Sequence, residues 1–208
     1  MSSISIIGTG NMAKAIGAAS LKGGNTVEIL GRDPGKAAAL ARALGDGATA
    51  GTWGATPTGD IVILAVLFPA AVPVVTEYGD ALADKIVIDI TNPFSADVTG
   101  LVVPDDTSGA QLIAEAAPAS THVVKGFNTL FQPIVASGRA VDVFLAGDDP
   151  QAKASVSAFI TSLGLRPRDA GGLNMARWLE GAGLLEVNLA RNGVGFDFSL
   201  GVNVGEPK

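Results

Sequence analysis

The sequence predicts an α/β protein: a doubly wound, mostly parallel sheet with a small C-terminal helical lobe packed on it. Three observations carry that expectation. Short β-rich runs alternate with Ala- and Leu-rich stretches from the first residues onward. The β runs are nearly continuous in Ile, Val and Leu, the pattern of parallel strands covered on both faces. The 27 glycines and few aromatics suit a chain with many tight strand-to-helix turns.

Taken in order, strands are expected at Ser3–Gly8, Thr26–Gly31, Asp60–Val66, Lys85–Thr91, His122–Phe127 and Val141–Gly147. Weaker ones are expected near Ala48–Thr52 and Leu165–Asp169. Between them the spacing predicts helices over Asn11–Lys22, Pro34–Leu44, Pro69–Tyr78, Ser108–Ala117 and Pro150–Leu163. Right-handed crossovers then lay the helices on both faces. The tail changes texture: Gly172–Asn192 reads as one longer helix, followed by the glycine-rich NGVGFDFSLGVNVG. No Pro/Ser linker precedes it, so residues 171–208 are expected to fold back onto residues 1–170 rather than stand apart.

Composition removes several kinds of function. A net charge of −6 argues against a nucleic-acid partner, which needs a surplus of Lys and Arg. With no cysteine, disulfides, thiolate nucleophiles and Cys-based zinc sites are excluded. MSSISIIGTG lacks the basic start and long apolar core of a signal peptide, and no later run is long enough to span a bilayer. A cytoplasmic protein without membrane contact is the expectation.

The first strand runs into Gly8-Thr9-Gly10-Asn11-Met12-Ala13, a GxGxxA pattern. Gly8 permits the sharp turn, Gly10 lets a pyrophosphate approach the backbone, and Ala13 allows close packing of helix on strand. The helix beginning near Asn11 points free N–H groups and its positive dipole end at the phosphates. A bare glycine turn is the alternative, but the strand–turn–helix setting is the one the dinucleotide pattern requires. At the tip of the second strand, where an NAD site carries Asp or Glu, the sequence has Gly31 followed by Arg32. A guanidinium there welcomes a 2′-phosphate, and Lys36 adds a point charge, so NADP is the expected nucleotide, ordinary solvated surface cations being the alternative reading of Arg32 and Lys36. Asp33 would favour NAD if its side chain turned inward.

Ligands of open α/β sheets lie beyond the carboxyl ends of the strands. The segments there are Ala65-Val66-Leu67-Phe68-Pro69, Thr91-Asn92-Pro93-Phe94 and Phe127-Asn128-Thr129-Leu130. They offer apolar walls with a few amides and hydroxyls, suited to a nicotinamide and a second planar ring, or they are plain turns capped by Asn92 and Asn128. Acid–base equipment looks absent: the single histidine, His122, opens a strand and reads as structural, and the single Tyr78 has no Lys four residues on. No spacing suggests a metal site and no catalytic residue is assigned. Hydride passage between stacked rings needs mainly orientation and exclusion of water, which fits this inventory better than carbonyl reduction.

These residues resemble coenzyme F420-dependent NADP oxidoreductases, bacterial branch. The resemblance rests on Ile7–Met12, Gly31-Arg32, Lys125-Gly126-Phe127-Asn128-Thr129, Ala146–Asp149 and Leu165–Gly171, with Asn192–Gly195 similar to the family's late glycine stretch. The Lys-Gly-Phe-Asn-Thr segment is also similar to the cytosolic domain of STEAP metalloreductases. The resemblance implies a Rossmann fold and a homodimer, with NADP on Thr9, Gly10, Asn11, Met12 and Arg32. It places a deazaflavin against Asn92, Pro93, Asn128, Thr129 and the late glycines. Archaeal members carry a His-containing segment where this chain has Phe127-Asn128-Thr129, which leaves coenzyme F420, a flavin or another acceptor open as the second partner. A flavin or ferric reductase and a non-catalytic NADP(H) sensor are the alternatives. The opening GTGNMAKA also resembles pyrroline-5-carboxylate reductases, whose longer helical dimerisation domain 208 residues do not accommodate. A β-hydroxyacid dehydrogenase needs a Lys on a late helix, and none occurs between Lys153 and Lys208.

Overall fold

The structure is a computed structural model that describes residues 2–203. Eight strands form it: β1 (Ser3–Ile7), β2 (Thr26–Leu30), β3 (Ala48–Ala50), β4 (Ile61–Leu64), β5 (Ile86–Asp89), β6 (His122–Lys125), β7 (Asp142–Gly147) and β8 (Arg166–Asp169). They line up in the order β3-β2-β1-β4-β5-β6-β7-β8. Neighbours are parallel throughout β3 to β6, and β8 is parallel to β7. One reversal occurs, where β7 runs antiparallel to β6 through Val124–Gly147 and Lys125–Ala146. The order reverses beside β1, the crevice where open sheets of this kind take ligands.

Seven helices cover the two faces: α1 (Asn11–Lys22), α2 (Pro34–Leu44), α3 (Phe68–Tyr78), α4 (Gly109–Ala116), α5 (Gln132–Ser137), α6 (Pro150–Ser162) and α7 (Ala176–Leu189). One apolar core joins α1, α2, α5 and α6 through Ile16, Leu40, Ile134 and Phe159. The other joins α3, α4 and α7 through Val75, Ile113 and Leu179. Strand interiors such as Ile4, Ile6, Val62 and Ile63 are fully buried, as their unbroken apolar runs demand. Caps set several helix starts: Asp33 accepts from Gly35 and Lys36 N–H, Ser108 from Gln111 N–H, and Asp149 from Ala152 N–H. No described helix is long and apolar enough to cross a membrane.

Two elements differ from the sequence expectation. The stretch Gly172–Asn192 is not one helix: a 3-10 turn at Leu173–Met175 leads into α7, and a wide turn at Ala190–Val194 ends it. Asp148 caps the 3-10 turn by accepting from Leu173 N–H at 2.7 Å, and Gly193 takes φ +107, which stops regular winding. Helix α5 was not expected; six residues starting at Gln132-Pro133 are too short to show helical periodicity. The expected C-terminal lobe reaches residue 208, and residues 204–208 lie outside the described ones.

Candidate functional site

The first turn is built by two glycines with different duties. Gly8 sits at φ +133, and a side chain there would meet the Ala65 carbonyl oxygen at 2.1 Å. Its N–H donates to the Leu30 carbonyl at 2.8 Å, so the tips of β1, β2 and β4 close together at one point. Gly10 is the N-cap of α1 at φ −82, with nothing within 4 Å of where its side chain would stand. No side chain caps the first turn of α1. The amides there face an open approach, the arrangement an anionic diphosphate requires.

Beside this turn lies a cavity of about 370 Å³. It brings together Gly8, Thr9, Gly31, Arg32, Ala65 and Val66, all expected from the sequence, and is completed by Trp53, Leu67, Ala70 and Val74. Gly31 is demanded by packing, since a side chain would lie 2.8 Å from Thr9 Cγ2. The Arg32 guanidinium stands 5.3 Å from the centre of the Trp53 indole and 3.8 Å from Glu77 Oε2. Trp53 Nε1–H donates to Glu77 Oε1 at 2.6 Å. Asp33 does not turn into the cavity, because its carboxylate is the cap of α2 at 2.9 and 3.1 Å. Lys36 is exposed and outside the cavity lining. Asn11 is exposed at the start of α1, and Met12 is half-buried against the core. A wider groove of about 620 Å³ runs between α1 and α5, and its lining includes Asn11, Lys14 and Gln132. Gly8, Thr9, Gly10 and Arg32 are not in its lining, so it does not fit the dinucleotide.

The loops after β5 and β6 meet as expected but are not open walls. Asn92 Nδ2 donates to the Asn128 carbonyl at 2.8 Å, and Asn128 Nδ2 donates to Asn92 Oδ1 at 3.0 Å and the Leu179 carbonyl at 2.9 Å. Pro93, Asn128 and Thr129 are buried and only Asn92 of this set is half-buried. The cause is α7, which lies against these loops because Gly183 has no side chain; a Cβ would stand 3.0 Å from Asn92 Oδ1. Phe127, fully buried, is held at φ +61, a backbone state costly for a bulky residue and frequent at functional sites. Three buried oxygens here, Thr91 Oγ1, Asn128 Oδ1 and Thr129 Oγ1, have no hydrogen-bond partner among the described residues. The first turn thus has the open space and the free amides that a diphosphate needs, whereas a planar ring would find only Asn92 of this second set partly open.

Below these loops the sequence reading missed a charged centre. Lys125 is wholly buried, and its ammonium donates to Asp89 Oδ2 at 2.8 Å, the Thr91 carbonyl at 2.6 Å and Glu180 Oε1 at 2.9 Å. Glu180, also fully buried, accepts from the Gly109 and Ala110 N–H groups at the start of α4. The signal was a Lys inside the apolar run His122-Val123-Val124-Lys125, since such a residue is almost never buried unpaired. On the next turns of α7, Glu186 is buried and accepts from Leu200 N–H at 3.3 Å. Burial pushes its carboxyl up to about 7. His122 is exposed at the start of β6, away from this centre and from the cavity, and neither packs in the core nor enters the site.

A mostly parallel Rossmann sheet with a glycine turn and a basic lip is the class of fold that takes dinucleotides at the tips of its strands. Residues 3–93 match the family described as NADP oxidoreductase, coenzyme F420-dependent. It is 28% identical to the metalloreductase STEAP3 of Rattus norvegicus over 180 residues, 85% of this chain and 35% of that protein. The chain thus spans about a third of that relative's length. Its fold is shared with a candidate F420-dependent NADP reductase of Arthrobacter sp. FB24, at a TM-score of 0.85 and 24% identity, covering 98% of this chain and 100% of the other. A hypothetical protein of Sinorhizobium meliloti is similar at a TM-score of 0.75 and 26% identity, over 83% and 86% of the two chains.

Proposed function

We propose that this chain transfers a hydride between NADP(H) and a planar redox cofactor, coenzyme F420 being the first candidate and a flavin the second. The observation that carries the reading is Arg32 at the lip of a cavity that opens beside the uncapped start of α1. Bound NADPH supplies a hydride that the oxidised ring accepts, the accompanying proton coming from solvent. Thr9, Gly10, Asn11 and Met12 would seat the diphosphate, and Gly31 leaves room for the ribose that Arg32 reads. Lys36 would add long-range attraction only. Ala65 and Val66 would exclude water along the cavity floor. Asn92 would orient a ring at the site's edge, held by Asn128, while Pro93 and Thr129 are buried beside them.

The chain up to residue 170 would then carry the nucleotide, and the described residues 171–203 would close the far side. Exposed Trp178 and Leu185 on α7 offer the apolar surface that a second copy would cover in a homodimer. A cytoplasmic setting, with reduced cofactors at hand, goes with this chemistry. The experiment is NADPH oxidation against a panel of F420, FMN, FAD and ferric chelates. Bleaching of the deazaflavin is the expected result; NADPH binding with no turnover on any acceptor would leave the sensor reading in its place. The identity with a metalloreductase favours one second reading, electron delivery to a ferric chelate through a flavin, which the same panel detects.

A further inference from the structure

Arg32 is the only cation lining the proposed adenosine cavity among the described residues, and it is not free. Its guanidinium rests over the Trp53 indole at 5.3 Å and faces Glu77 Oε2 at 3.8 Å. The other oxygen of the same carboxylate accepts from the indole N–H at 2.6 Å. Tyr78 braces the indole from a further side, edge to face, with ring centres 5.2 Å apart. Trp53 comes from the loop after β3, and Glu77 and Tyr78 from the last turn of α3.

We infer that Trp53 and Glu77 are specificity-determining residues for the nucleotide: Trp53 is the platform that holds Arg32 at the cavity lip, and Glu77 is a resident competitor for the 2′-phosphate. The inference rests on the NADP(H) reading above and deepens it. A guanidinium over an indole face is attracted by the ring and loses part of its rotamer freedom before any ligand arrives. The Arg32–Glu77 pair is longer than a hydrogen bond, and both side chains are about half exposed, so it is weak. A phosphate offering short, charge-assisted and bidentate bonds displaces it. Glu77 cannot leave with equal ease, because Trp53 Nε1–H keeps hold of its other oxygen. Its negative charge therefore remains near the arriving phosphate and opposes it. A nucleotide with a plain ribose hydroxyl meets no such opposition. Glu77 thus narrows the preference that Arg32 creates.

The test uses two probes of the adenosine half alone, adenosine 2′,5′-bisphosphate and 5′-AMP, titrated into the full chain by calorimetry. Glu77→Gln keeps an acceptor for the indole N–H but removes the charge. It should tighten the bisphosphate about threefold to tenfold and change 5′-AMP by less than about twofold. Trp53→Ala should weaken the bisphosphate by a similar factor, and Trp53→Phe, which keeps a ring under Arg32, should recover most of it. Trp53 fluorescence read in a Trp178→Phe background gives a second signal, since the chain has 2 tryptophans. Unchanged bisphosphate affinity in Glu77→Gln overturns the inference, even where Trp53→Ala fails to fold. If the unaltered chain does not prefer the bisphosphate to 5′-AMP, it is instead the NADP(H) reading that fails.

Discussion

Asn92 and Asn128, at the ends of two neighbouring strands, hold each other through a pair of amide hydrogen bonds of 2.8 and 3.0 Å. The Asn128 amide also reaches the Leu179 carbonyl of α7, so one side chain joins two strand loops to the C-terminal helix. Asn128→Ala would leave Asn92 Oδ1 and the Leu179 carbonyl without this donor. The expected cost is about 1–3 kcal/mol in denaturant stability. Nucleotide affinity should stay near its starting value, because the cavity beside Arg32 does not include Asn128.

For Arg32 the split is the reverse. Arg32→Ala removes an exposed side chain, so stability should hardly move. NADPH binding should weaken about tenfold to a hundredfold while NADH binding stays level, measured by titration of both nucleotides. Equal losses for both would remove the assignment of the 2′-phosphate to this residue.

Gly8 and Gly10 separate fold from ligand. Gly8→Ala places a methyl 2.1 Å from the Ala65 carbonyl oxygen at a positive φ, and should lower stability by more than about 1 kcal/mol. Gly10→Ala meets no protein atom within 4 Å at φ −82, so thermal melting should change by less than about 0.5 kcal/mol in stability. The added methyl stands where a diphosphate would approach, and nucleotide binding should fall in the Gly10 variant while its fold is kept.

Glu186 gives the chain a pH signature. Its folded carboxyl is raised from 4.5 to about 7 by burial, so the folded state holds a proton that the unfolded state has released. Stability is then highest below about pH 4.5 as far as this group is concerned, falls as pH rises toward about 7, and is flat above. Glu186→Gln should flatten that fall and be the more stable protein above neutral pH. Denaturant midpoints taken at a series of pH values check both the sign and the window.

Much of this architecture can be read from local sequence. Helices α1 and α2 have the bounds that Asn11–Lys22 and Pro34–Leu44 announce, because a glycine turn, an Asp-Pro start and closing glycines mark them. The Gly8–Ala13 turn and the Gly31-Arg32 tip are local as well, and the cavity forms around them. What escaped reading is long-range. Lys125 finds its partners 36 and 55 positions away, and Trp53 meets Glu77 across 24, so no spacing rule links them. The packing of α7 over Asn128 depends on the missing side chain of Gly183, whose role appears only when the helix is seen lying against the loops. An isolated glycine in a helical stretch reads as a weak point rather than a contact.

The saturation of Lys125 has a chemical consequence. Its nitrogen lies within hydrogen-bond distance of three acceptors and no part of the side chain reaches solvent, so a reagent has no path to it. Acylating or reductive-methylation reagents that label exposed lysines such as Lys14 and Lys36 should pass it by until the molecule unfolds. Its labelling would then serve as a built-in reporter of global opening, read by mass spectrometry without any engineered probe.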